Sequence, residues 1–153
     1  MRWDISGVAI PVMLPNAAEV TQACRYVNVP PCLAYAIKWN ETADRADAST
    51  VLSADGGRGL FQLTSSYPVG DWRDPLANAV YALRVFIVPA ITFWNGLGFY
   101  GETLVRCVAA EFNAGRSGAL QGHVLGSLDR FTTDNYAERT LANYKALVLG
   151  RHP

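Results

Sequence analysis

The sequence predicts one mainly helical domain of 153 residues, and three observations support this prediction. Half of the residues are apolar, so a chain of this length can bury a core of its own. Apolar residues recur at three- and four-residue intervals along several segments, which is the spacing of one helix face. Strand-like alternation is weak, and no repeat, low-complexity tract or linker divides the chain. We therefore expect residues 1–153 to form a single compact domain with at most a small β-hairpin.

The first two predicted helices lie in the N-terminal third of the chain. Asn16 can cap a helix over residues 17–27. Pro31 suits the first turn of a second helix, which continues over residues 32 to about 40. Glu41 therefore falls at the C-terminal end of the second helix.

The middle of the chain begins with an irregular segment. Residues 42–58 are rich in Ala, Asp, Ser and Gly, which predicts a loop or a small hairpin, and a short helical turn should follow over residues 59–65. Asp74 and Pro75 form a typical helix start, a capping residue followed by a first-turn proline. Pro89 should kink or split the helix that follows.

Three more helices are predicted in the C-terminal part of the chain. Apolar residues recur over residues 102–114, and Gly115 should end that helix as a C-terminal cap. A shorter helix is expected over residues 119–128. The last helix should cover residues 134–149 and end at Gly150.

Charge and hydropathy exclude several classes of partner. The formal net charge is zero, which argues against nucleic acid or an anionic membrane surface as the main partner. No run of roughly 18 or more apolar residues occurs, because Arg84 and Pro89 interrupt the longest one, so we expect no membrane insertion. The N-terminal segment shows no evident signal peptide, since no cleavage site follows a clear apolar core.

The cysteines and histidines do not form a metal-binding pattern. Cys24, Cys32 and Cys107 are odd in number and lack metal-like spacing, so we expect buried thiols. A bridge between Cys24 and Cys32 remains the alternative outside a reducing compartment. His123 and His152 are far apart in the sequence and have no ligand-like neighbours, so no metal site is expected.

Glu41 is the candidate catalytic residue. It follows an apolar run at residues 33–37 and lies at a helix C-terminus, and both settings disfavour a carboxylate anion. A carboxylic acid whose pKa is raised in this way can protonate a leaving oxygen near neutral pH. Taken alone, the position of Glu41 favours one of the many solvated carboxylates at helix ends over a catalytic residue.

Four short motifs give Glu41 a context. In chain order they are Glu41-Thr42, S-A-D-G-G-R-G-L-F-Q at 53–62, E-F-N-A-G at 111–115, and Tyr136 near the start of the last helix. In these motifs the chain resembles the transglycosylase SLT family, the soluble lytic transglycosylases and their goose-type lysozyme relatives. That family has a glutamate followed by serine, then S-x-x-G-x-R-G-L-M-Q, A-Y-N-A-G, and a tyrosine opening the last helix. The resemblance extends from about residue 30 to residue 149.

The resemblance implies a lysozyme-like α+β fold with an active-site cleft for the glycan strands of peptidoglycan. It implies that Glu41 acts first as acid and then as base in cleaving the MurNAc–GlcNAc β-1,4 bond, without a cofactor. The residues that would line the cleft around it are Thr42, Gly59, Gln62, Phe112, Asn113 and Tyr136.

The chain departs from the family's motifs at Phe61, which replaces methionine, and at three further positions. Thr42 adds a methyl group to the family's serine, and Phe112 lacks the hydroxyl of the family's tyrosine, although its ring can still stack on a sugar. Glu111 replaces a small residue. We expect it at an exposed helix position, with a second carboxylate in the cleft as the alternative.

Asp55 bears on the reaction type. It follows Glu41 by 14 residues and precedes Gly56, so it can be a turn residue or a possible second carboxylate. We favour the turn. The substrate's N-acetyl group then takes the part of the nucleophile, and the family's product is 1,6-anhydro-MurNAc. The alternatives are a hydrolytic lysozyme that uses Glu41 and Asp55, and a non-catalytic cell-wall-binding or assembly protein on a lysozyme-like scaffold.

The expected site of action follows from the resemblance and from the missing signal. A lytic transglycosylase acts at the bacterial cell wall, in the periplasm. We expect delivery by a phage or a secretion apparatus, with the protein forming part of the virion or of that apparatus.

Overall fold

The computed structural model of the protein describes residues 5–64 and 71–153. Helices dominate this part of the chain: α1 (Ala17–Val27), α2 (Pro31–Thr42), a 3₁₀ turn (Ala48–Thr50), α3 (Pro75–Ala82), a π-helical stretch (Leu83–Ile87), α4 (Val88–Gly96), α5 (Gly101–Val124) and α6 (Tyr136–Val148). The described residues form one compact, mainly helical domain, as predicted. The predicted turn over residues 59–65 lies inside the described residues only as far as residue 64.

The second helix, α2, lies at the centre of the core. All residues from 32 to 38 are buried, because α1 packs against one side of α2 and α6 packs against another. A helix that is apolar on all sides requires this kind of burial. The α5 helix packs against α6 and α4 and completes the domain. Glu41 is therefore in the last turn of a core helix, where the chain leaves the core.

The irregular segment forms a narrow loop held by two isolated antiparallel bridges, Leu52 with Arg58 and Arg58 with Leu63. We call residues 52–63 the glycine loop. No regular strand occurs in the stretches that the structure describes, which agrees with the expectation of at most a small hairpin. The lysozyme-like details of the fold stay a prediction.

The two predicted N-terminal caps behave differently. Asp74 caps α3 as predicted, because its side chain accepts hydrogen bonds from the backbone nitrogens of Leu76 (2.9 Å) and Ala77 (3.2 Å). Asn16 directly precedes α1 but has φ 59° and makes no side-chain cap. Its Oδ1 atom is buried without a partner. The helix start was predicted correctly, but the capping bond was not.

Pro89 neither breaks nor ends the helical segment. A π-helical stretch, Leu83–Ile87, precedes it, and α4 begins at Val88 with the proline in its first turn. Proline is tolerated there, because the first helical turn does not need its missing N–H group. A π-helical stretch just before Pro89 thus stands where a kink or a split was predicted.

The helix ends in the C-terminal part follow the glycines. Gly115 has φ 76° and ψ 165° and interrupts α5 where the helix was predicted to end. The second part of α5 follows at once instead of starting at residue 119, and it ends at Val124. The last helix, α6, starts at Tyr136 and ends at Val148, just before Gly150, which has φ 69°.

The three cysteines are buried free thiols, as predicted. Burial raises the pKa of Cys24 and of Cys107 to about 12 and that of Cys32 to about 11. Such thiols stay protonated near neutral pH, so they are poor nucleophiles.

One described helical segment has the length and composition of a membrane span. Pro75–Gly96 covers 22 residues, has a mean hydropathy of 1.7 in its most apolar window, and is 39% buried over that window. The core helix of a globular domain meets the same criteria, so this segment alone decides nothing. The absence of membrane insertion stays a prediction.

Candidate active site

The structure brings two of the predicted site residues into direct contact. Glu41 lies in the last turn of α2, and Tyr136 is the first residue of α6. The Tyr136 hydroxyl donates a hydrogen bond of 2.5 Å to Oε1 of Glu41. This contact joins residues that are 95 positions apart, and it depends on the packing of α6 against α2.

Burial is the main influence on the Glu41 carboxyl group. It raises the pKa of Glu41 from 4.5 to about 7. The hydrogen bond from Tyr136 and the positive charge of Arg139 act in the opposite direction, whereas the negative charge of Asp55 adds to the rise. A large fraction of Glu41 is therefore protonated near neutral pH, as an acid catalyst requires. The raised pKa was predicted from the apolar residues that precede Glu41.

The hydroxyl group of Tyr136 stays protonated and can donate its hydrogen bond. Burial and the neighbouring Glu41 raise the pKa of its phenol well above 10, so the hydroxyl keeps its proton. The guanidinium of Arg139 lies 5.7 Å from the centre of the Tyr136 ring. Sequence reasoning did not identify Arg139, although it lies one helical turn after Tyr136 and so on the same face.

A network of amide side chains fixes α6 against α2 beside the site. Asn40 donates from Nδ2 to the Tyr136 carbonyl oxygen at 3.2 Å and to Oγ1 of Thr140 at 2.7 Å. Its Oδ1 accepts from Nδ2 of Asn143 at 2.9 Å. This network positions Tyr136 relative to Glu41. The sequence analysis missed these residues, and their only signal was the spacing of polar side chains on an otherwise apolar helix face.

A cluster of aromatic rings extends from Tyr136. The ring of Phe112 stacks on that of Tyr136, with centroids 6.5 Å apart and planes at 21°. Its other ring neighbours are Phe61 at 6.3 Å and Phe86 at 6.0 Å. Phe112 is half-buried, whereas Phe86 is 36% exposed at the surface. Phe86 was not predicted, because it precedes Pro89 in a segment that was interpreted only as an interrupted helix.

Gly59 allows the glycine loop to approach α3 closely. Its φ is +70°, and a Cβ atom there would lie 2.4 Å from Nδ2 of Asn78 and 2.7 Å from the Trp72 carbonyl oxygen. Asn78 is fully buried and accepts from the Phe61 backbone nitrogen while donating to the carbonyl oxygens of Arg58 and Trp72. Gly59 thus shapes the loop by packing against Asn78, a residue that the sequence analysis missed.

Gln62 stabilises the glycine loop through hydrogen bonds to its backbone. Its backbone has φ 47°, and Nε2 donates to the carbonyl oxygens of Gly59 (2.9 Å) and Val51 (3.3 Å). A Cβ atom at Gly57 would lie 2.6 Å from Oε1 of Gln62. Gln62 was predicted to contact a ligand. In the structure its amide nitrogen is engaged by the loop instead.

Thr42 does not lie at an open surface, contrary to the expectation that its hydroxyl lines the cleft. Its side chain is buried, with 3% of the residue exposed. The hydroxyl donates to the Leu60 carbonyl oxygen at 3.0 Å and has a second, longer contact with the Lys38 carbonyl oxygen. Thr42 therefore ties the end of α2 to the glycine loop.

Asp55 adopts the turn role that we favoured. Its carboxylate accepts hydrogen bonds from the Ser53 hydroxyl and, at 3.2 Å, from the Gly57 backbone nitrogen, and these bonds lower its pKa. Its charge nevertheless contributes to the raised pKa of Glu41. Asp55 is therefore near enough to act on the site, and the hydrolytic alternative stays open.

Asn113 links α5 to the segment that leads into α6. Its Oδ1 accepts a hydrogen bond of 2.8 Å from the backbone nitrogen of Thr133, while the residue itself is exposed. It therefore orders the chain three residues before Tyr136, which gives it a structural part in the site.

Glu111 is not an exposed helix residue, and this expectation was wrong. Only 12% of its side chain is exposed. One carboxylate oxygen accepts from Nε1 of Trp94 at 2.8 Å, and the other forms an ion pair with Arg116 at 2.8 Å. Because both oxygens are engaged, Glu111 is also a poor candidate for a second carboxylate in the cleft.

Among the described residues, no group of three or more His, Cys, Asp or Glu side chains is arranged to hold a metal ion. In the comparisons with known proteins, no family model matches the chain and no curated protein matches it.

Proposed function

We propose that the protein is a peptidoglycan-degrading lytic transglycosylase that cleaves the MurNAc–GlcNAc β-1,4 bond. One observation carries the proposal: Glu41 is a half-buried carboxylic acid with a pKa of about 7, and Tyr136 holds it by a hydrogen bond. Such an acid is protonated often enough at neutral pH to protonate a leaving oxygen, and its conjugate base is strong enough to take a proton back.

The reaction needs only this one acid–base group. Glu41 gives its proton to the glycosidic oxygen as the bond from that oxygen to the anomeric carbon of MurNAc breaks. The carbonyl oxygen of the substrate's N-acetyl group stabilises the anomeric carbon. The 6-hydroxyl of the same sugar then attacks that carbon, and the Glu41 carboxylate removes the hydroxyl proton. The products are one glycan fragment that ends in 1,6-anhydro-MurNAc and one whose GlcNAc carries a free 4-hydroxyl. Glu41 is protonated again, and no water is consumed.

The aromatic rings that extend from Tyr136 support a sugar as the ligand. The rings of Phe112 and Phe86 offer apolar faces of the kind on which sugar rings stack. A cavity of about 150 Å³ adjoins them where the π-helical stretch meets the kink at Gly115. A zero net charge also suits a polysaccharide better than a nucleic acid.

A hydrolytic lysozyme is the second candidate, and one observation favours it. The negative charge of Asp55 acts on Glu41, so an ionised carboxylate is available near the acid. Such a carboxylate could activate water or attack the sugar. Against this, the hydrogen bonds from Ser53 and Gly57 already hold Asp55 in a turn. The third possibility, a non-catalytic wall-binding protein, predicts no cleavage at all.

One digestion separates the three candidates. Purified peptidoglycan is incubated with the protein, with Glu41→Gln, and with the matched control Glu102→Gln, which changes an exposed glutamate on α5. Mass spectrometry should find 1,6-anhydro-MurNAc ends with the unchanged protein and the control, and none with Glu41→Gln. Reducing ends alone would identify a hydrolase, and an undigested wall would refute both enzymatic functions.

The place of action remains part of the proposal. By its resemblance to the transglycosylase SLT family, the protein would act on glycan strands in the periplasm. Delivery by a phage or a secretion apparatus is part of the same proposal.

A further inference from the structure

Lys38 is a buried cation that the proposed reaction does not use. It lies on α2 one turn before Glu41 and is 0% exposed. Its Nζ atom donates a hydrogen bond of 2.7 Å to the Ala43 carbonyl oxygen and lies 5.2 Å and 5.9 Å from the centres of the Tyr35 and Trp39 rings. Burying an ammonium group is costly, so its retention here calls for a specific purpose.

The acceptor of that hydrogen bond is itself unusual. Ala43 has φ 44° and ψ −132°, a backbone conformation that glycine adopts easily and alanine does not. Its N–H donates to the Trp39 carbonyl oxygen at 2.9 Å, and its own carbonyl oxygen accepts from Lys38. A strained residue persists only where its surroundings hold it, and such residues concentrate at functional sites.

The strained residue follows Glu41 and Thr42 directly. Thr42 is fixed to the Leu60 carbonyl oxygen of the glycine loop, and Glu41 is fixed to Tyr136. The path of the backbone at Ala43 therefore decides whether both contacts can form at once. If Ala43 relaxed to an ordinary conformation, the last turn of α2 would have to shift.

We propose that Lys38 is a positioning residue for the candidate acid: its ammonium group clamps the carbonyl of strained Ala43 and so holds Glu41 against Tyr136. Lys38 acts through the backbone and does not touch the substrate. The role of Glu41 as acid comes from the proposed function, whereas the clamp itself can be measured without any substrate.

The measurement is the pKa of Glu41 in a double-mutant cycle of Lys38→Met, Ala43→Gly and the two together. The carboxyl resonance of Glu41 is followed by NMR against pH and is assigned by its loss in Glu41→Gln. The groups that act on Glu41 are Tyr136 and Arg139 from α6 and Asp55 from the glycine loop. None of them is changed in the cycle.

Losing the clamp should change the pKa of Glu41 in two opposite ways: a weakened hydrogen bond from Tyr136 raises it, and water that returns to the carboxyl group lowers it. Burial is the largest influence on this pKa, so on balance it should fall. We expect Lys38→Met to lower the pKa of Glu41 by about one unit or more from its value of about 7, and wall lysis at neutral pH to fall about tenfold. Glycine adopts the conformation at position 43 without a clamp. In the double variant the pKa should therefore return to within a few tenths of that of Ala43→Gly.

The control is Lys145→Met, which removes an exposed lysine from α6 and should leave the pKa of Glu41 unchanged. If Lys38 has only a structural part, Lys38→Met should lower the melting temperature equally with Ala43 and with Gly at position 43, and the pKa of Glu41 should not change. That result would overturn the proposal. If Lys38→Met does not fold, the double variant decides: we expect it to fold, and its failure to do so also overturns the clamp.

The two proposals can fail separately. Absence of wall cleavage by the unchanged protein would refute the enzymatic function, while the coupling between Lys38 and Ala43 would still appear in the NMR titration. Normal cleavage combined with additive effects in the cycle would refute only the clamp.

Discussion

Replacing Glu41 with glutamine should stabilise the protein at alkaline pH and leave its stability nearly unchanged at pH 4. A raised pKa in the folded state means that folding favours the protonated acid. The corresponding stability is fully present below the unfolded pKa of 4.5 and is lost as the pH rises through about 7. Glutamine resembles the protonated acid in shape and cannot ionise, so the variant avoids this loss.

The size of this gain in stability follows from the shift in the pKa of Glu41. The rise of the pKa of Glu41 from 4.5 to about 7 corresponds to about 3 kcal/mol of unfolding free energy that is lost at pH 8.5 and above. For a domain of this size, 1 kcal/mol changes the melting temperature by about 2–4 °C, so we expect a gain of about 6–12 °C at pH 8.5. The variant should at the same time lose lysis of purified walls by about a hundredfold or more.

Thermal melts from pH 4 to pH 9 test this prediction. Glu102→Gln is the matched control, because the same chemical change at an exposed position should give no gain that grows with pH. If the difference in melting temperature between the protein and Glu41→Gln stays constant with pH, the pKa of the carboxyl group is not raised by folding. The argument for a buried acid would then be refuted.

Three further predictions concern the surroundings of the acid. Tyr136→Phe removes a hydrogen bond that lowers the pKa of Glu41, so the alkaline limb of the pH–lysis profile should move to higher pH; a shift to lower pH would contradict this role. Gly59→Ala should lower the free energy of unfolding in urea by about 2 kcal/mol or more, because strain at φ +70° adds to a clash with Asn78. The control Gly126→Ala has φ +87° but no atom near its Cβ position, so it should lower the free energy less. Equal losses would argue against the close packing at Gly59. Asp55→Asn keeps the turn, so it should retain most of the lysis and the anhydro product by mass spectrometry, and a crippled variant would favour the hydrolase.

Local signals in the sequence were sufficient for several helix ends. Pro31 and Asp74 mark helix starts by mechanisms that involve only neighbouring residues, and α2 and α3 begin where they indicate. Gly115 likewise interrupts α5 because it can adopt a conformation that other residues avoid. The apolar run at residues 33–37 indicated a helical segment that lies in the core, and these residues are buried in α2.

The contacts between elements could not be predicted in this way. The spacing of residues shows which face of a helix is buried, but not which side chain from another element meets it. Asn78 is an example, because its role depends on a glycine loop that approaches it across the core. Glu111 is another, because Trp94 from α4 and Arg116 from beyond the kink cover a side chain whose sequence position indicated exposure. Thr42 has the predicted hydroxyl, but the fold turns it toward the loop backbone.

The contact between Glu41 and Tyr136 also means that the proposed acid is complete only after α6 has docked on α2. The acid lies on α2 and its hydrogen-bond donor on α6, so a chain in which α6 has not docked contains Glu41 without the partner and the covering surface that shift its pKa. A protein that cleaves walls would thus stay inert until its last helix is in place. We expect a fragment that ends before α6 and a separate peptide carrying Tyr136–Val148 to be inactive on their own. If the peptide docks on the fragment, lysis should return at the rate of docking.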